Sequence, residues 1–315
     1  MERPLGQLAV VYNPHAKLNK KHPERLERLT AIVGDGGVVY ETRQLDELPR
    51  LGQELAALDI DLLCICGGDG TNQLVLTALL PAYLAAQRPI PPIYFLKGGS
   101  MNTIGWSLGL RFSAESALAS LIARRRQGEQ FETAPQNTLR VNDKYGMLFG
   151  NGYAINFLEE YYSANSDPGP RRAAEIAYKA ISSVITRGDM FQRLARQFRA
   201  EVTLDGRRLE FPAYGMILIG TVEYIGIGFK SLYRAHEAPD RFHAVFTMLT
   251  PGKILAQLHR FYAGRPLTGE CHVDELAREV IIRAEQPLGY TLDGELYSSQ
   301  ELNITTGPTV PVVVR

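Results

Sequence analysis

The apolar run Leu62-Leu63-Cys64-Ile65-Cys66 ends directly on Gly67-Gly68-Asp69-Gly70-Thr71, and a helical stretch follows. No other feature constrains the chain as much. A short run with no polar alternation reads as a strand buried on both faces, and such strands belong to parallel sheets. Parallel sheets take ligands at the carboxyl ends of their strands. Glycines let the backbone approach a phosphate with no Cβ in the way. The helix that follows offers unpaired N–H groups and a positive dipole end, which suit an anion. A tight strand–helix turn would also use glycines, but the strand-before, helix-after context favours a ligand loop. It is neither a GxGxxG dinucleotide fingerprint nor a Walker A loop, which needs GK[ST].

The same unit recurs around it. Leu8–Tyr12, Val38–Thr42 and Ile93–Leu96 read as further strands, and Pro23–Val33, Leu48–Leu58 and Leu74–Ala86 as helices with apolar stripes. Alternation of this kind predicts a Rossmann-like α/β domain with a parallel sheet over residues 1–130. Two more strand ends carry phosphate-compatible loops, Asn13-Pro14-His15-Ala16-Lys17 and Lys97-Gly98-Gly99-Ser100-Met101-Asn102-Thr103. Three such loops on one rim exceed what turn chemistry requires.

Beyond Arg126 the texture changes to short β-rich runs: Thr138–Val141, Met147–Phe149, Glu201–Leu204, Met216–Gly220, Phe242–Thr247, Glu279–Ala284 and Leu302–Thr305. Asn142-Asp143 and Asp205-Gly206 separate several of them as turns. These predict an antiparallel β-sandwich over residues 131–307, with the boundary near Gln127–Pro135 and the last strand, 308–315, returning to the first domain.

Charge and cysteine usage narrow the function classes. Lysine plus arginine number 34, as do aspartate plus glutamate, and this zero balance speaks against a nucleic-acid binder. Three cysteines make no disulfide framework and fit a reducing compartment. No apolar run approaches a membrane span, and the N-terminus lacks a signal-peptide core. The expectation is a cytoplasmic protein that meets a membrane, if at all, from one side. Cys64 and Cys66 point to one face of their strand and read as core. The six histidines lack metal-ligand spacing.

Taken together, Asn13-Pro14, Gly67-Gly68-Asp69-Gly70-Thr71, Gly99-Ser100-Met101-Asn102, Gly226-Ile227-Gly228-Phe229 and Asp293-Gly294-Glu295 resemble the diacylglycerol kinase catalytic-domain family in order and spacing. The glycine loop alone is shared with NAD kinases and phosphofructokinase-like kinases; the two later segments separate this family from them. The resemblance implies an ATP- and magnesium-dependent lipid kinase in which the α/β domain of residues 1–130 binds ATP, the β-sandwich of residues 131–307 supplies the lipid site, and the chemistry lies in the cleft between them. It implies nucleotide contacts by Asn13, Thr42, Gly67, Gly68, Asp69, Gly70, Thr71, Gly99, Ser100 and Asn102. It makes Glu295 the general base and Asp69 a catalytic and magnesium-binding residue, with Asp293 a weaker metal candidate. By itself Asp293-Gly294 is a hairpin turn dipeptide.

Three positions depart from the family pattern. Lys17 stands in place of a glycine, Leu74 replaces a glutamate after the glycine loop, and Thr103 replaces an aspartate. The last two remove carboxylates from the metal network. Two other readings therefore stay open: a kinase of a soluble hydroxyl compound, as in NAD kinases, and a relative that binds lipid or nucleotide without turnover.

The stretch Pro170–Phe198 reads as one amphipathic helix. From Arg171 to Arg199 it carries Arg171, Arg172, Lys179, Arg187, Arg193, Arg196 and Arg199 against only Glu175 and Asp189. Such a helix can pack its stripe on the β domain or lie on an anionic membrane surface through residues 170–199. The implied partners are a lipid substrate and that membrane surface, met transiently; no nucleic acid is expected, and a homodimer is left open.

Overall fold

The computed structural model describes residues 7–110, 112–163, 171, 175, 176, 178, 179, 182, 183, 188–226 and 228–314. Its contacts divide the chain into two units, one of residues 1–138 with 308–315 and one of residues 139–307.

The first unit is built on a parallel sheet. Strands β1 (Gln7–Tyr12), β2 (Gly37–Glu41), β3 (Ile60–Gly67) and β4 (Ile93–Lys97) lie in the order β4-β3-β1-β2. The chain's last strand, whose end pairs Val312 with Ile93, extends the sheet beyond β4 in the parallel sense. Side chains alternate across the sheet. Val10, Tyr12, Cys64, Cys66 and Leu96 pack in one core with Leu29, Val33, Leu118 and Leu121 from helices α2 (Arg25–Val33) and α6 (Ala114–Arg126). The alternate residues Ala9, Val11, Leu63 and Ile65 are as fully buried, which is why these strands read as unbroken apolar runs. Each fully buried valine, leucine or isoleucine among them contributes roughly 1.5–3 kcal/mol.

Between the strands run helix α1 (Lys17–Lys21) and helix α3 (Leu48–Ala57). Helix α4 spans Asp69–Ala85, so it begins inside the glycine motif rather than at Leu74. Glycine and aspartate are poor helix formers, and that hid the first turn. A short helix α5 (Thr103–Ser107) follows β4. Arg124, Arg125 and Arg126 end α6, where positive charge suits the helix dipole.

The second unit is antiparallel. Strand β7 (Leu148–Gly152) pairs with β10 (Met216–Gly220), β10 with β11 (Phe242–Thr247), and β11 with β12 (His272–Ala277). The long strand β13 (Glu279–Leu292) pairs through Val280–Arg283 with β8 (Glu201–Leu204) and through Tyr290–Leu292 with β7. Its register breaks between Arg283 and Leu288. A strand that switches partners across an irregularity turns a corner between two packed layers. Phe149, Ile217, Phe246, Val202, Leu204 and Ile282 meet in the core between those layers. Two-residue turns close two hairpins, with Asp205 and Gly206 at φ 46° and 81° and Asp293 and Gly294 at φ 50° and 91°. These positive angles are the ones a tight hairpin with matching twist requires.

Among the elements that escaped the sequence pattern are a strand and a helix. In β12, His272, Asp274 and Glu275 break the apolar alternation, and the strand lies at the sheet edge. Helix α7 (Tyr153–Ser163) is rich in aromatic residues, which are weak helix formers. The single helix expected over Pro170–Phe198 is not continuous. Gly188 caps a separate helix, Asp189–Leu194, and Phe198 forms a β-bridge with Tyr214. Of the expected stripe, Ile176 is buried; Ala180, Ile181, Val184 and Ile185 lie outside the described residues, as do Arg172, Arg187 and Ile227. Among the described residues, no helix is long and apolar enough to cross a membrane.

Candidate functional site

The three loops expected on one rim are joined by hydrogen bonds at the carboxyl ends of β1, β3 and β4. The backbone N–H groups of Gly98 and Gly99 both donate to the carbonyl of Gly67, at 2.8 and 2.9 Å. Leu18 N–H donates to Gly98 O at 2.8 Å, and Asn13 N–H to Cys66 O at 3.1 Å. Asn13 Nδ2 donates to Thr71 Oγ1 at 2.8 Å, which ties the first loop to the first turn of α4.

Close approach explains the glycines. A Cβ on Gly99 would lie 2.3 Å from the Cα of Gly68, so the third loop tolerates no side chain at Gly99. The result is a concave backbone surface at the N-terminus of a 17-residue helix, whose first N–H groups have no intrahelical acceptor. That surface can hold phosphate oxygens by backbone donors alone.

Several residues expected to touch a nucleotide serve first to hold these loops. Asn102 sits in the left-handed region at φ 49°. Its Oδ1 accepts from Gly99 N–H at 3.1 Å and its Nδ2 donates to Gly99 O at 2.7 Å. Thr42 Oγ1 donates to Tyr12 O at 3.2 Å, beside the backbone bond of Thr42 N–H to the same oxygen. Ser100 is half-buried within the third loop, and Gly70 lies in the first turn of α4.

Asp69 spans two of the loops. Its Oδ2 accepts from Thr103 N–H at 2.8 Å and its Oδ1 from Ile104 N–H at 3.0 Å. Burial pushes its carboxyl above the ordinary value, and these donors oppose that. Asp293, buried in the second unit, accepts from Met147 N–H at 3.0 Å and from Leu148 N–H at 2.7 Å. Neither carboxylate assigned to magnesium is thus left free. Among the described residues, no group of three or more His, Cys, Asp or Glu side chains is placed to hold a metal ion. The backbone cradle fits a phosphate chain; the side chains of the described residues do not form a protein-held magnesium site.

Glu295 follows the Asp293-Gly294 turn as the first residue of β14 (Glu295–Val313) and pairs with Leu292. Its side chain is exposed, yet the protein around it pushes the carboxyl above the ordinary glutamate value. Solvent contact limits such a shift. Lys17 opens helix α1, and Thr103 opens α5 with its backbone on Asp69. Leu74 lies on α4 and faces a groove shared with α3. The thiols of Cys64 and Cys66 are fully buried, which pushes Cys66 up to about 12 and excludes both as nucleophiles.

Two residues at this rim gave no signal in the sequence. Asn19 is buried beneath the loops, where its Nδ2 donates to Asn13 O at 2.8 Å and its Oδ1 accepts from Arg25 Nη1 at 3.0 Å. Asn72, on α4 immediately after Thr71, is 4% exposed, and its Oδ1 is buried without a hydrogen-bond partner. An asparagine two residues past a loop, or one inside a helix, is common; only the burial of the amide distinguishes these two.

Comparison with known proteins places this arrangement. Residues 7–131 match the model of the diacylglycerol kinase catalytic domain. Three solved structures from Bacillus anthracis str. Sterne share the fold over 99% of this chain and 98% of theirs, with TM-scores of 0.69, 0.68 and 0.65. Their sequence identities are 16%, 17% and 16%. One is described as a diacylglycerol kinase; the other two carry that description provisionally. No curated protein matches the sequence.

Proposed function

We propose that the chain is an ATP-dependent lipid kinase that transfers the γ-phosphate to a lipid hydroxyl. The observation that carries this reading is the phosphate cradle made by joining Gly67-Gly68, Gly98-Gly99 and the N-terminus of α4. The match of residues 7–131 to the diacylglycerol kinase catalytic domain supports the reaction class.

Bound ATP supplies the transferred phosphoryl group and its leaving group. The N–H groups in the first turn of α4 hold the phosphates and oppose their charge as it spreads in transfer, over a surface that the glycine loops leave open. Asn13 and Thr71 fix the cradle's β1 side, and Asp69 fixes the Thr103 segment against it. Glu295 serves as general base. The acceptor oxygen bonds to the γ-phosphorus as the bond from that phosphorus to the β,γ-bridging oxygen breaks; ADP departs, and the hydroxyl proton passes to the Glu295 carboxylate. Two conditions suit Glu295 to this: no hydrogen-bond partner of its carboxylate is present among the described residues, and its pKa is raised toward that of a working base.

The reading is tested by incubating the purified chain with labelled ATP and magnesium over diacylglycerol, sphingosine, ceramide and soluble alcohols. Label in a phospholipid supports it. Label only in a soluble product favours the kinase of a soluble hydroxyl compound, and no label in any product leaves a binding protein.

A further inference from the structure

Asn19 lies where the three loops of the first unit meet. It sits on α1, just past the first loop, and is 1% exposed. Its Nδ2 donates to Asn13 O at 2.8 Å and to Cys66 O at 3.1 Å, so one amide ties the first loop to the end of β3. A Cβ on Gly98 would fall 2.8 Å from that Nδ2 and 2.9 Å from Oδ1, so the same amide packs directly under the third loop. Asn13 in turn holds Thr71 in the first turn of α4.

An amide can sit two ways round, and only one works here. Turned over, its oxygen would face two carbonyl oxygens. Arg25 on α2 fixes the orientation: Nη1 donates to Asn19 Oδ1 at 3.0 Å, and Nε donates to Glu115 Oε1 on α6 at 3.0 Å. Arg28 Nη2 donates to the same Glu115 oxygen at 3.1 Å. Burial works against the Glu115 charge, yet its own backbone N–H, Arg25 and Arg28 together hold the carboxyl below the ordinary value. The Arg25 side chain is 9% exposed. A guanidinium is costly to desolvate, and a buried ion pair stabilises a fold no better than apolar packing of similar volume. What Arg25 supplies instead is direction, because its planar fork spans two acceptors at a fixed angle.

We propose that Glu115, Arg25 and Asn19 form a positioning relay for phosphate binding, in which α6 and α2 orient the Asn19 amide and thereby set the spacing of the three loops. The relay lies wholly within the first unit and outside the glycine motifs. Its residues act through the loops and not on the phosphates. The proposal rests on the kinase reading above and names the side chains on which its nucleotide site depends.

Calorimetric titration of the full chain with tripolyphosphate, and with ATP and magnesium in parallel, tests the relay beside thermal melts. Asn19→Ala and Arg25→Met are each expected to weaken tripolyphosphate binding about tenfold. The double variant is expected to lose about tenfold as well, because Arg25 works through Asn19. Losses that multiply to about 100-fold would make the two residues independent and overturn the relay. Both positions are buried, so Glu115→Ala provides a variant at the partly exposed end, where the contacts of Asn19 with the loops stay in place. It is expected to weaken binding about threefold in the natural chain and not at all in the Asn19→Ala background. Lower melting temperatures with unchanged phosphate affinity would mark the network as purely structural and overturn the proposal. In phosphotransfer, Arg25→Met is expected to raise the ATP KM about tenfold with the acceptor KM within about twofold. Phosphate affinity that falls in these variants of a chain transferring no phosphate would retain the relay and remove the kinase reading. Phosphotransfer with an unchanged ATP KM in Arg25→Met would do the reverse, and a natural chain that binds neither tripolyphosphate nor ATP would remove both.

Discussion

Gly68 and Gly99 approach so closely that a Cβ on Gly99 would fall 2.3 Å from the Cα of Gly68. Two backbone segments 31 positions apart in the chain are thereby pressed into one surface, and Gly98 and Gly99 share a single acceptor, Gly67 O. Gly99→Ala must part them. The expected cost is roughly 1–3 kcal/mol of stability, and nucleotide binding is expected to fall further than stability does. Calorimetric titration with ATP beside a thermal melt checks both; tight ATP binding by Gly99→Ala would refute the cradle.

Asp69 acts through the loop it holds. Asp69→Ala leaves the N–H groups of Thr103 and Ile104 unmet, at a cost of roughly 1–3 kcal/mol. The variant is expected to melt earlier and to lose phosphotransfer. A lost activity with an unchanged melting temperature would instead mark Asp69 as purely catalytic.

Glu295 must be ionised to take a proton. Since its pKa is raised, the acid limb of the kcat/KM profile is expected above the ordinary glutamate value of about 4.3. Glu295→Gln is expected to lower kcat about 100-fold or more and to abolish that limb, with the ATP KM retained. Normal turnover by this variant would dismiss the base.

His272 makes stability pH-dependent. Burial pushes its imidazole below the ordinary value, although Asp274 pulls it upward, and neither ring nitrogen has a hydrogen-bond partner. His243 and Tyr233 also face Asp274, and their hydrogen bonds outweigh its burial and hold its carboxyl low. The unfolded histidine takes its proton near pH 6.5, while the folded one resists until lower pH. The unfolded state therefore binds more protons in that window, and stability is full above about 6.5 and falls as pH drops below it. Urea midpoints at pH 7.5 and 5.5 are expected to differ, and His272→Leu is expected to narrow the difference. Equal narrowing absent in that variant would assign the loss elsewhere.

The arginine-rich stretch predicts salt-sensitive binding to anionic vesicles. Arg193 already pairs with Glu160, so its contribution is expected to be smaller than that of Arg171. Cosedimentation with anionic and neutral vesicles at low and high salt decides this. Equal binding to both, unaffected by salt, would argue for a helix that only packs.

Much of the first unit was legible because parallel strands buried on both faces must be apolar throughout. Leu8–Tyr12 and Leu62–Cys66 announce themselves, and the glycines that follow mark where backbone must meet a ligand or another strand end. In the second unit, Glu201–Leu204, Met216–Gly220 and Phe242–Thr247 were readable to the residue, since each has one or both faces in a core. Strand β12 was not, because its Asp274 finds its partners in His243 of β11 and in Tyr233, a tertiary cluster that no local pattern encodes.

The sequence alone determined the strand–helix order, the three phosphate-compatible loops and the hairpin that precedes Glu295, because these follow from periodicity and from backbone angles that few residues adopt. Tertiary structure decided what the carboxylates do. Asp69 and Asp293 look like metal ligands in a motif, yet backbone N–H groups distant in sequence claim both. Asn72 looks like an ordinary helix residue, yet packing buries its amide oxygen with no donor. Such assignments depend on which groups meet across tens of residues, and hydrogen-bond satisfaction at that range is a property of the folded core.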